Sequence, residues 1–174
     1  DVTGVQTCAL PISGNSGRKH RLIQTPRVSV LVPARNEEKL IAACLDGLVN
    51  LNYPKEQLEI LVGNDQSTDT TAEIIDRYAS RYPFIRRVDI LDRLGTAQAK
   101  GNVLAHLVKE ASSDLHFVTD ADIQVSPDWI VSLLPVLQEN RMGIVSGTTL
   151  VEGANWFSRW QGCEWLLGNG YLIG

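Results

Sequence analysis

The chain has 174 residues and a formal net charge of −4, and 44% of its residues are hydrophobic. This size and composition suit one α/β domain with a buried core. The acidic balance argues against a nucleic-acid partner, because proteins that bind nucleic acids present a basic face to the phosphates.

The N-terminal segment is left out of the predicted fold. Residues 1–12 (DVTGVQTCALPI) resemble the translation of a sequencing adapter joined in frame, so we treat them as an artefact. Residues 13–26 are rich in Gly, Ser and basic side chains, which is typical of a flexible basic leader; a segment next to a lost membrane span is the alternative. Without Cys8, the wide spacing of Cys44 and Cys163 indicates neither a disulfide framework nor a metal site, and it favours a reducing cytosol.

Downstream of the leader, segments with strand and helix periodicity alternate. The alternation predicts a mostly parallel sheet with helices on both faces, which is a three-layer α/β/α domain. The predicted strands cover residues 27–33, 58–62, 87–91, 115–118 and 143–150, and the predicted helices cover about residues 37–50, 70–78, 97–110 and 127–137.

Capping residues predict where three of the helices begin. Asn36 is placed as an N-cap, with acidic residues at the next two positions in the first helical turn. Thr70 and Glu73 have the spacing of a capping box. Ser126 and Pro127 indicate the start of the last helix, with the serine at the cap and the proline at the first helical position.

Polar clusters follow three of the predicted strands, at residues 33–37, 63–69 and 120–122. If these strands are neighbours, the clusters form one crevice at the carboxyl edge of the sheet, where α/β proteins bind ligands. The last cluster contains Asp120 and Asp122. Two carboxylates so close in sequence repel each other unless a cation lies between them. We predict that they hold Mg²⁺ or Mn²⁺ against a diphosphate.

Missing motifs disfavour other nucleotide-binding classes. No Gly-x-Gly-x-x-Gly follows the first strand, which argues against a dinucleotide-binding dehydrogenase. No Gly-x-x-x-x-Gly-Lys-Ser/Thr occurs, which argues against a P-loop nucleotidase. A dehalogenase-type aspartate motif would follow the first strand and precede a hydroxyl residue, whereas Ile123 and Gln124 follow a late strand here.

Three segments stand in a recognisable order: VSVLVPARNE at residues 28–37, EILVGNDQSTDTT at 59–71 and FVTDAD at 117–122. Together they resemble the donor-binding half of inverting family 2 glycosyltransferases, and the resemblance covers about residues 27–150. It implies the GT-A fold of nucleotide-diphospho-sugar transferases, incomplete at the C-terminus, with Asp120 and Asp122 as its DXD metal motif.

The resemblance also implies a role for each cluster. Asp65 would accept a hydrogen bond from the imide N–H of a uracil-like base. Asp120 would lie near the ribose and the metal, and Asp122 would ligate the metal that screens charge on the departing nucleoside diphosphate. Lys100 is a candidate from its position, one helical turn after residue 96, and not from the resemblance; it would bring positive charge to the phosphates. The remaining substrate-binding positions, around the base and ribose, would be Pro33, Ala34, Arg35, Asn36, Glu37 and Ala121.

Simpler explanations stay open for several of these residues. Asp65 and Asp69 could serve only the turn after the second strand. Asn36 and Glu37 could serve only to start a helix, and Lys100 could be a solvated helix lysine.

The chain departs from the family pattern in three ways. Gly63 and Asn64 stand where the family often has an aliphatic residue and an aspartate, and Thr96 follows Gly95 where many relatives have lysine. Inverting transfer also requires a general base that deprotonates the acceptor hydroxyl. We expect this catalytic base beyond Gly174, so that the fragment alone would bind donor and turn over acceptor poorly.

Residues 151–174 are rich in aromatic side chains, and three of the 4 tryptophans lie within ten residues. We predict the start of an acceptor-side or membrane-interfacial helical region, cut short at the C-terminus; an amphipathic helix packed on its own domain is the alternative. The full-length protein would then be membrane-associated, with this domain cytoplasmic at the inner face of the plasma membrane and a glycan or lipid acceptor.

These expectations combine into one predicted activity. A hexosyltransferase would transfer a sugar from a UDP-linked donor to an acceptor hydroxyl, with inversion, in one metal-dependent in-line step. Two alternatives stay open: a nucleotidyltransferase that shares the crevice, and a non-catalytic module that binds nucleotide diphosphates.

Overall fold

The computed structural model describes residues 5–8, 25–139 and 148–151. The predicted leader lies outside these residues except at its last two positions, and so does the predicted helical region after residue 151. The strands are β1 (Val5–Cys8), β2 (Val28–Ala34), β3 (Leu58–Asn64), β4 (Ile85–Asp89), β5 (His116–Val118), β6 (Ile123–Val125) and β7 (Thr148–Val151), and the helices are α1 (Ile41–Val49), α2 (Thr71–Arg81), α3 (Ala99–Glu110) and α4 (Trp129–Glu139).

Four strands form the main sheet in the order β4-β3-β2-β5, and every neighbouring pair is parallel. The central pair, β2 and β3, is in register over all seven residues, from Val28 opposite Leu58 to Ala34 opposite Asn64. Near-continuous apolar sequence is typical of strands that are covered on both faces. Because the register is unbroken, β2 and β3 end at the same level.

Helices cover both faces of this sheet, which confirms the predicted three-layer architecture. Along β2, Val28, Val30 and Val32 belong to the large core beneath α1, α2 and α4, whereas Leu31 faces α3 on the other side. This alternation follows from the period of two in a strand. The smaller core on the α3 side consists of Leu31, Leu61, Ile90, Val103 and Leu107.

Helix α1 begins at Ile41, later than the position predicted from Asn36. Asn36 has a φ of 55°, in the left-handed region, so the chain cannot enter a right-handed helix there. A turn follows, in which the carbonyl of Glu37 accepts hydrogen bonds from the N–H groups of Leu40 and Ile41. The prediction of Asn36 as a helix cap is therefore wrong.

Two strand predictions also needed tertiary information. Strand β4 begins two residues earlier than predicted, because its pairing with β3 starts at Ile85 opposite Ile60. The three-residue strand β6 was not predicted, and it belongs to a second sheet of order β6-β1-β7. In that sheet β1 is parallel to β6 and antiparallel to β7. Strand β1 falls within residues 1–12, and its pairing does not test where those residues come from.

Gly63 in β3 should be needed for the close packing of α3. A Cβ built at Gly63 would lie 2.4 Å from Cγ1 of Val103, whereas one built at Gly101 of α3 meets nothing within 4 Å. We expect Gly63→Ala to destabilise the protein by about 1–3 kcal/mol, because the stiff, buried valine cannot yield. Urea unfolding measures this change.

The control for this prediction is Gly101→Ala, which should be neutral or stabilise the protein by about 0.5–1 kcal/mol through helix propensity. Val103→Ala should recover stability in the Gly63→Ala protein and not in the unaltered one. Equal stability of the Gly63→Ala and unaltered proteins would contradict the packing argument.

Candidate functional site

The three polar clusters meet at the carboxyl edge of the main sheet. Strands β3, β2 and β5 are adjacent and parallel, so the loops that follow them leave the sheet on the same side. Strand β5 ends opposite Leu31, and the chain continues along β2 through a hydrogen bond from the Thr119 N–H to the Leu31 carbonyl, at 3.2 Å. The predicted single crevice thus has the expected strand order.

Asn36 joins the loop after β2 to the loop after β3. Its Oδ1 accepts hydrogen bonds from the N–H of Thr68, at 2.8 Å, and from the hydroxyl of the same residue, at 3.3 Å. Its own N–H donates to Oγ of Ser67, at 3.1 Å. Asn tolerates the left-handed conformation better than most residues, so it can supply this bridge where the backbone turns.

Two further contacts continue this connection toward the start of α2. The N–H of Glu37 donates to Oγ1 of Thr71, at 2.8 Å, and the N–H of Glu38 donates to Oδ2 of Asp69, at 3.1 Å. In return, Oε2 of Glu38 accepts from the Thr70 hydroxyl, at 3.0 Å. The two loops are therefore held together by hydrogen bonds that involve both backbone and side chains.

The N-terminus of α2 does not have the predicted capping box. The side chain of Thr70 makes no cap hydrogen bond, and Asp69 takes that role. Oδ1 of Asp69 accepts from the N–H of Thr71, at 3.0 Å, and from its hydroxyl, at 2.5 Å. Desolvation opposes ionisation of Asp69, but the hydrogen bonds from Thr71 and Glu38 lower its pKa. Asp69 is thus explained as a residue that orders the loop.

Asp65 lies at the end of β3 with its carboxylate partly open to solvent. Its N–H donates to the Ala34 carbonyl at 2.9 Å, which fixes the backbone against the end of β2. Its Oδ2 lies 3.4 Å from Nη1 of Arg35, and the exposed fractions of the two side chains are 17% and 65%. The carboxylate is available to a ligand once the more exposed Arg35 moves.

The contacts of Asn64 require an amide side chain at a position where the family often has an aspartate. Its Nδ2 donates to Oδ1 of Asp89 on β4, at 2.8 Å, and its Oδ1 accepts from the N–H of Ser67, at 3.3 Å. A carboxylate at residue 64 could not donate to Asp89 and would repel it. Asn64 therefore supports the loop that carries Asp65.

The loop after β5 places the two aspartates beside α1 and α3. The Asp120 carbonyl accepts from Sγ of Cys44 on α1, at 3.5 Å, and its carboxylate forms an ion pair with Nζ of Lys100 on α3. Ala121 is buried, and Asp122 is exposed. Asp122 forms no ion pair within residues 25–139. Within residues 25–139, the loop thus presents one carboxylate with an ion pair and one without.

The carboxylates at this edge of the sheet affect the pKa values of Glu37 and Cys44. Burial raises the pKa of Glu37, and the nearby carboxylates of Asp122, Asp69 and Asp120 raise it further. Burial, followed by the charges of Asp122, Asp120 and Glu37, raises the pKa of Cys44 to about 12. Cys44 is therefore a neutral packing residue rather than a nucleophile. Glu37 and the two aspartates share an electronegative region that a cation would relieve.

A divalent cation in this region would need oxygen atoms from a bound diphosphate in addition to those of the protein. Within the described residues, no group of three or more His, Cys, Asp or Glu side chains could hold a metal ion. Asp120 and Asp122 supply hard carboxylate oxygens, and Mg²⁺ is commonly bound by one or two carboxylates together with substrate phosphates. The chemistry of the two aspartates thus suits Mg²⁺ or Mn²⁺ in complex with a diphosphate.

Three of the predicted donor-binding residues lie where β2 ends. Pro33 and Ala34 are the last residues of the strand, and Arg35 follows them. Glu152 and the residues after it lie outside the described ranges, so the position of a general base stays a prediction. No helix among the described residues is long and apolar enough to cross a membrane.

The raised pKa of Glu37 predicts a pH-dependent stability. A group whose folded pKa is above its unfolded value of about 4.3 stabilises the fold at lower pH, and this contribution is lost as pH rises through the folded pKa. We therefore expect Glu37→Gln to unfold at higher urea concentration than the unaltered protein at pH 7. The difference should disappear below about pH 4.

Glu56→Gln is the matched control, because Glu56 is exposed and lies ahead of β3, at the opposite edge of the sheet. This variant should not show the pH-dependent gain in stability. A Glu37→Gln protein that is less stable than the unaltered one at pH 7 would contradict the assigned electrostatics.

Comparisons with known proteins bear on the family of this chain. The family model described as "Glycosyl transferase family 2" matches residues 29–172. A probable glycosyltransferase, YdaM, of Bacillus subtilis (strain 168) is 39% identical over 104 residues, which are 60% of this chain and 24% of YdaM. A beta-monoglucosyldiacylglycerol synthase of Nostoc sp. is 32% identical over 142 residues, which are 80% of this chain and 30% of the synthase. The chain thus spans 24% and 30% of the length of these two relatives.

Solved structures of similar fold include proteins with a bound nucleotide or nucleotide sugar. The mannosyltransferase PcManGT from Pyrobaculum calidifontis, in complex with GDP-Man and Mn²⁺, matches with a TM-score of 0.61 and 30% identity, covering 70% of this chain and 35% of that one. S. aureus TarS 1–349 in complex with UDP matches with a TM-score of 0.56 at 22% identity, covering 69% of this chain and 38% of that one. The second match bears on the fold alone.

Proposed function

This chain belongs to glycosyl transferase family 2 and has its GT-A fold, and we propose that residues 27–150 bind the sugar-nucleotide donor of a metal-dependent, inverting hexosyltransferase. The observation that carries the proposal is the position of Asp120 and Asp122. They follow β5 at the same edge as the loops after β2 and β3, without a third protein ligand for a metal in the described part of the chain.

The donor phosphates would supply further oxygen ligands to a metal ion bound by the two aspartates. A Mg²⁺ or Mn²⁺ ion bound there would supply positive charge to the departing nucleoside diphosphate. Lys100, on the first turn of α3, lies next to Asp120 and would contact the same phosphates. The Mn²⁺ and GDP-Man in PcManGT, a structure with the same fold, support this arrangement.

The base and ribose would lie over the ends of β2 and β3. The Asp65 carboxylate would accept from the imide N–H of the base, and the segment from Pro33 to Glu37 would line the pocket. The Asn36 bridge supports this assignment, because it keeps the two loops at a fixed distance without a ligand. We assign uracil as the base of the donor. Guanine is the competing assignment, because PcManGT holds GDP-Man.

The acceptor hydroxyl would attack the anomeric carbon from the side opposite the diphosphate, so that one step forms the new glycosidic bond and inverts the configuration. The proton of that hydroxyl would go to a carboxylate base beyond Gly174. The acceptor would be a glycan or a lipid at the inner face of the plasma membrane. The name of the Nostoc relative, beta-monoglucosyldiacylglycerol synthase, supports a lipid.

Isothermal titration with UDP and Mn²⁺ tests the donor site. We expect Asp120→Asn and Asp122→Asn each to weaken Mn²⁺-dependent UDP binding at least about tenfold, because each removes a charged metal ligand. Asp114→Asn makes the same change in charge at an exposed position ahead of β5, and it should leave the affinity unchanged.

Other outcomes of this titration identify the alternatives. Tighter binding of GDP than of UDP would contradict the uracil assignment, and no heat with either nucleotide on folded protein would favour a non-catalytic module. On a full-length protein, release of pyrophosphate in place of sugar transfer would identify a nucleotidyltransferase.

The position of the general base gives a separate prediction. Residues 13–174 alone should bind the donor and transfer sugar poorly or not at all, because the carboxylate that accepts the proton is expected beyond Gly174. Sugar transfer assayed with a UDP-sugar and acceptor measures this. Turnover by the fragment equal to that of a full-length protein would contradict the placement of the base.

A further inference from the structure

We propose that Lys100 occupies the cation side of Asp120 in the donor-free protein, so that the metal binds weakly alone and enters together with the nucleotide diphosphate. In this scheme Lys100 has two opposite effects: it competes with the free metal ion for Asp120 and it attracts the metal–diphosphate complex. The inference rests on the proposed function, since it assumes that Asp120 is a metal ligand.

The ion pair itself is the first observation. Nζ of Lys100 donates directly to Oδ1 of Asp120, and the exposed fractions of the two side chains are 53% and 44%. For an ion pair this exposed to water, the equilibrium constant favours the paired over the separated side chains by only about two- to fivefold. Lys100 is therefore the cation that neutralises Asp120 in this structure, and displacing it requires little free energy.

The fold places Lys100 at this position. Lys100 is the second residue of α3, and Ala99 before it has a φ of 45°, in the left-handed region. Asn102 fastens the preceding loop to the helix: its Oδ1 accepts from the N–H of Leu94, at 2.8 Å, and its Nδ2 donates to the Asp92 carbonyl, at 2.9 Å. The hydrogen bonds of Asn102 thus hold the loop before α3 against the helix whose first turn carries Lys100.

A metal ion and the Lys100 ammonium would repel each other if both were bound to the Asp120 carboxylate, unless an anion lay between them. A divalent ion lies about 2.0–2.2 Å from a carboxylate oxygen, so it would stand in direct repulsion with an ammonium group already bonded to that carboxylate. A diphosphate supplies the negative charge that both cations need. Its arrival lets Nζ move from the carboxylate to a phosphate oxygen, which frees Asp120 for the metal.

Asp122 shows where the incoming cation would first bind. It is exposed and has no ion pair within residues 25–139, whereas Asp120 is already neutralised by Lys100. One unpaired carboxylate is a weak site for a hydrated divalent ion, and the second becomes available only when the lysine leaves. The order of binding follows from this difference between two residues of the same loop.

The test measures Mn²⁺ binding to the 174-residue chain by electron paramagnetic resonance of the free ion, first without nucleotide and then with UDP. We expect Lys100→Met to bind Mn²⁺ alone about two- to fivefold more tightly than the unaltered protein, because Asp120 is released. The same variant should bind UDP in the presence of Mn²⁺ more weakly, by a similar factor.

Two variants separate this effect from a general loss of charge. Lys109→Met removes an exposed lysine from the same helix, away from the first turn, and should change neither affinity. Lys100→Arg keeps the positive charge and should bind Mn²⁺ alone as weakly as the unaltered protein. Thermal unfolding monitored by circular dichroism checks that each variant is folded.

The outcomes distinguish this inference from the proposed function. If Asp120→Asn weakens Mn²⁺–UDP binding but Lys100→Met does not tighten binding of Mn²⁺ alone, the inference is wrong and the donor site stands. If neither Asp120→Asn nor Asp122→Asn changes Mn²⁺–UDP binding, both are wrong. Opposite changes in the two affinities of Lys100→Met would establish the exchange.

Discussion

The unbroken parallel pairing of β2 and β3 is the constraint on which the candidate site depends. Both strands are buried and end at the same level, so the loops that follow them emerge side by side. Asn36 then joins the loops by accepting from Thr68 and donating to Ser67. A slip of one residue would turn the strands' core side chains to the opposite face, so the register that builds the core also positions the site.

Several carboxylates lie at the same edge and repel one another, and each has a different set of neighbouring groups. Hydrogen bonds stabilise the charge of Asp69, and basic side chains face Asp65 and Asp120. Glu37 keeps a raised pKa, and Asp122 has no ion pair in the described part of the chain. Asp69 orders the loop before α2, whereas Glu37, Asp120 and Asp122 form the electronegative region that a cation would relieve.

The sequence predicted the layers and the meeting of the clusters, because strand and helix periodicity reflects burial that local residues already encode. It placed the N-cap of α2 at Thr70 correctly, but it mispredicted the start of α1 and the side chain that caps α2. Asn36 and Thr70 are good capping residues, but their side chains bond across loops to Thr68 and Glu38, where tertiary partners outcompete the local cap. No local signal indicates such partners, and the Lys100–Asp120 contact was likewise beyond sequence reasoning.

Two departures from the family pattern involve the same helix. Glycine at residue 63 removes the Cβ that would collide with Val103, so α3 can pack closely on β3. Helix α3 carries Lys100 on its first turn, where it reaches Asp120, while residue 96, where many relatives have lysine, is a threonine. Close packing of α3 on β3 therefore goes together with an ion pair that brings a basic side chain to the aspartate loop.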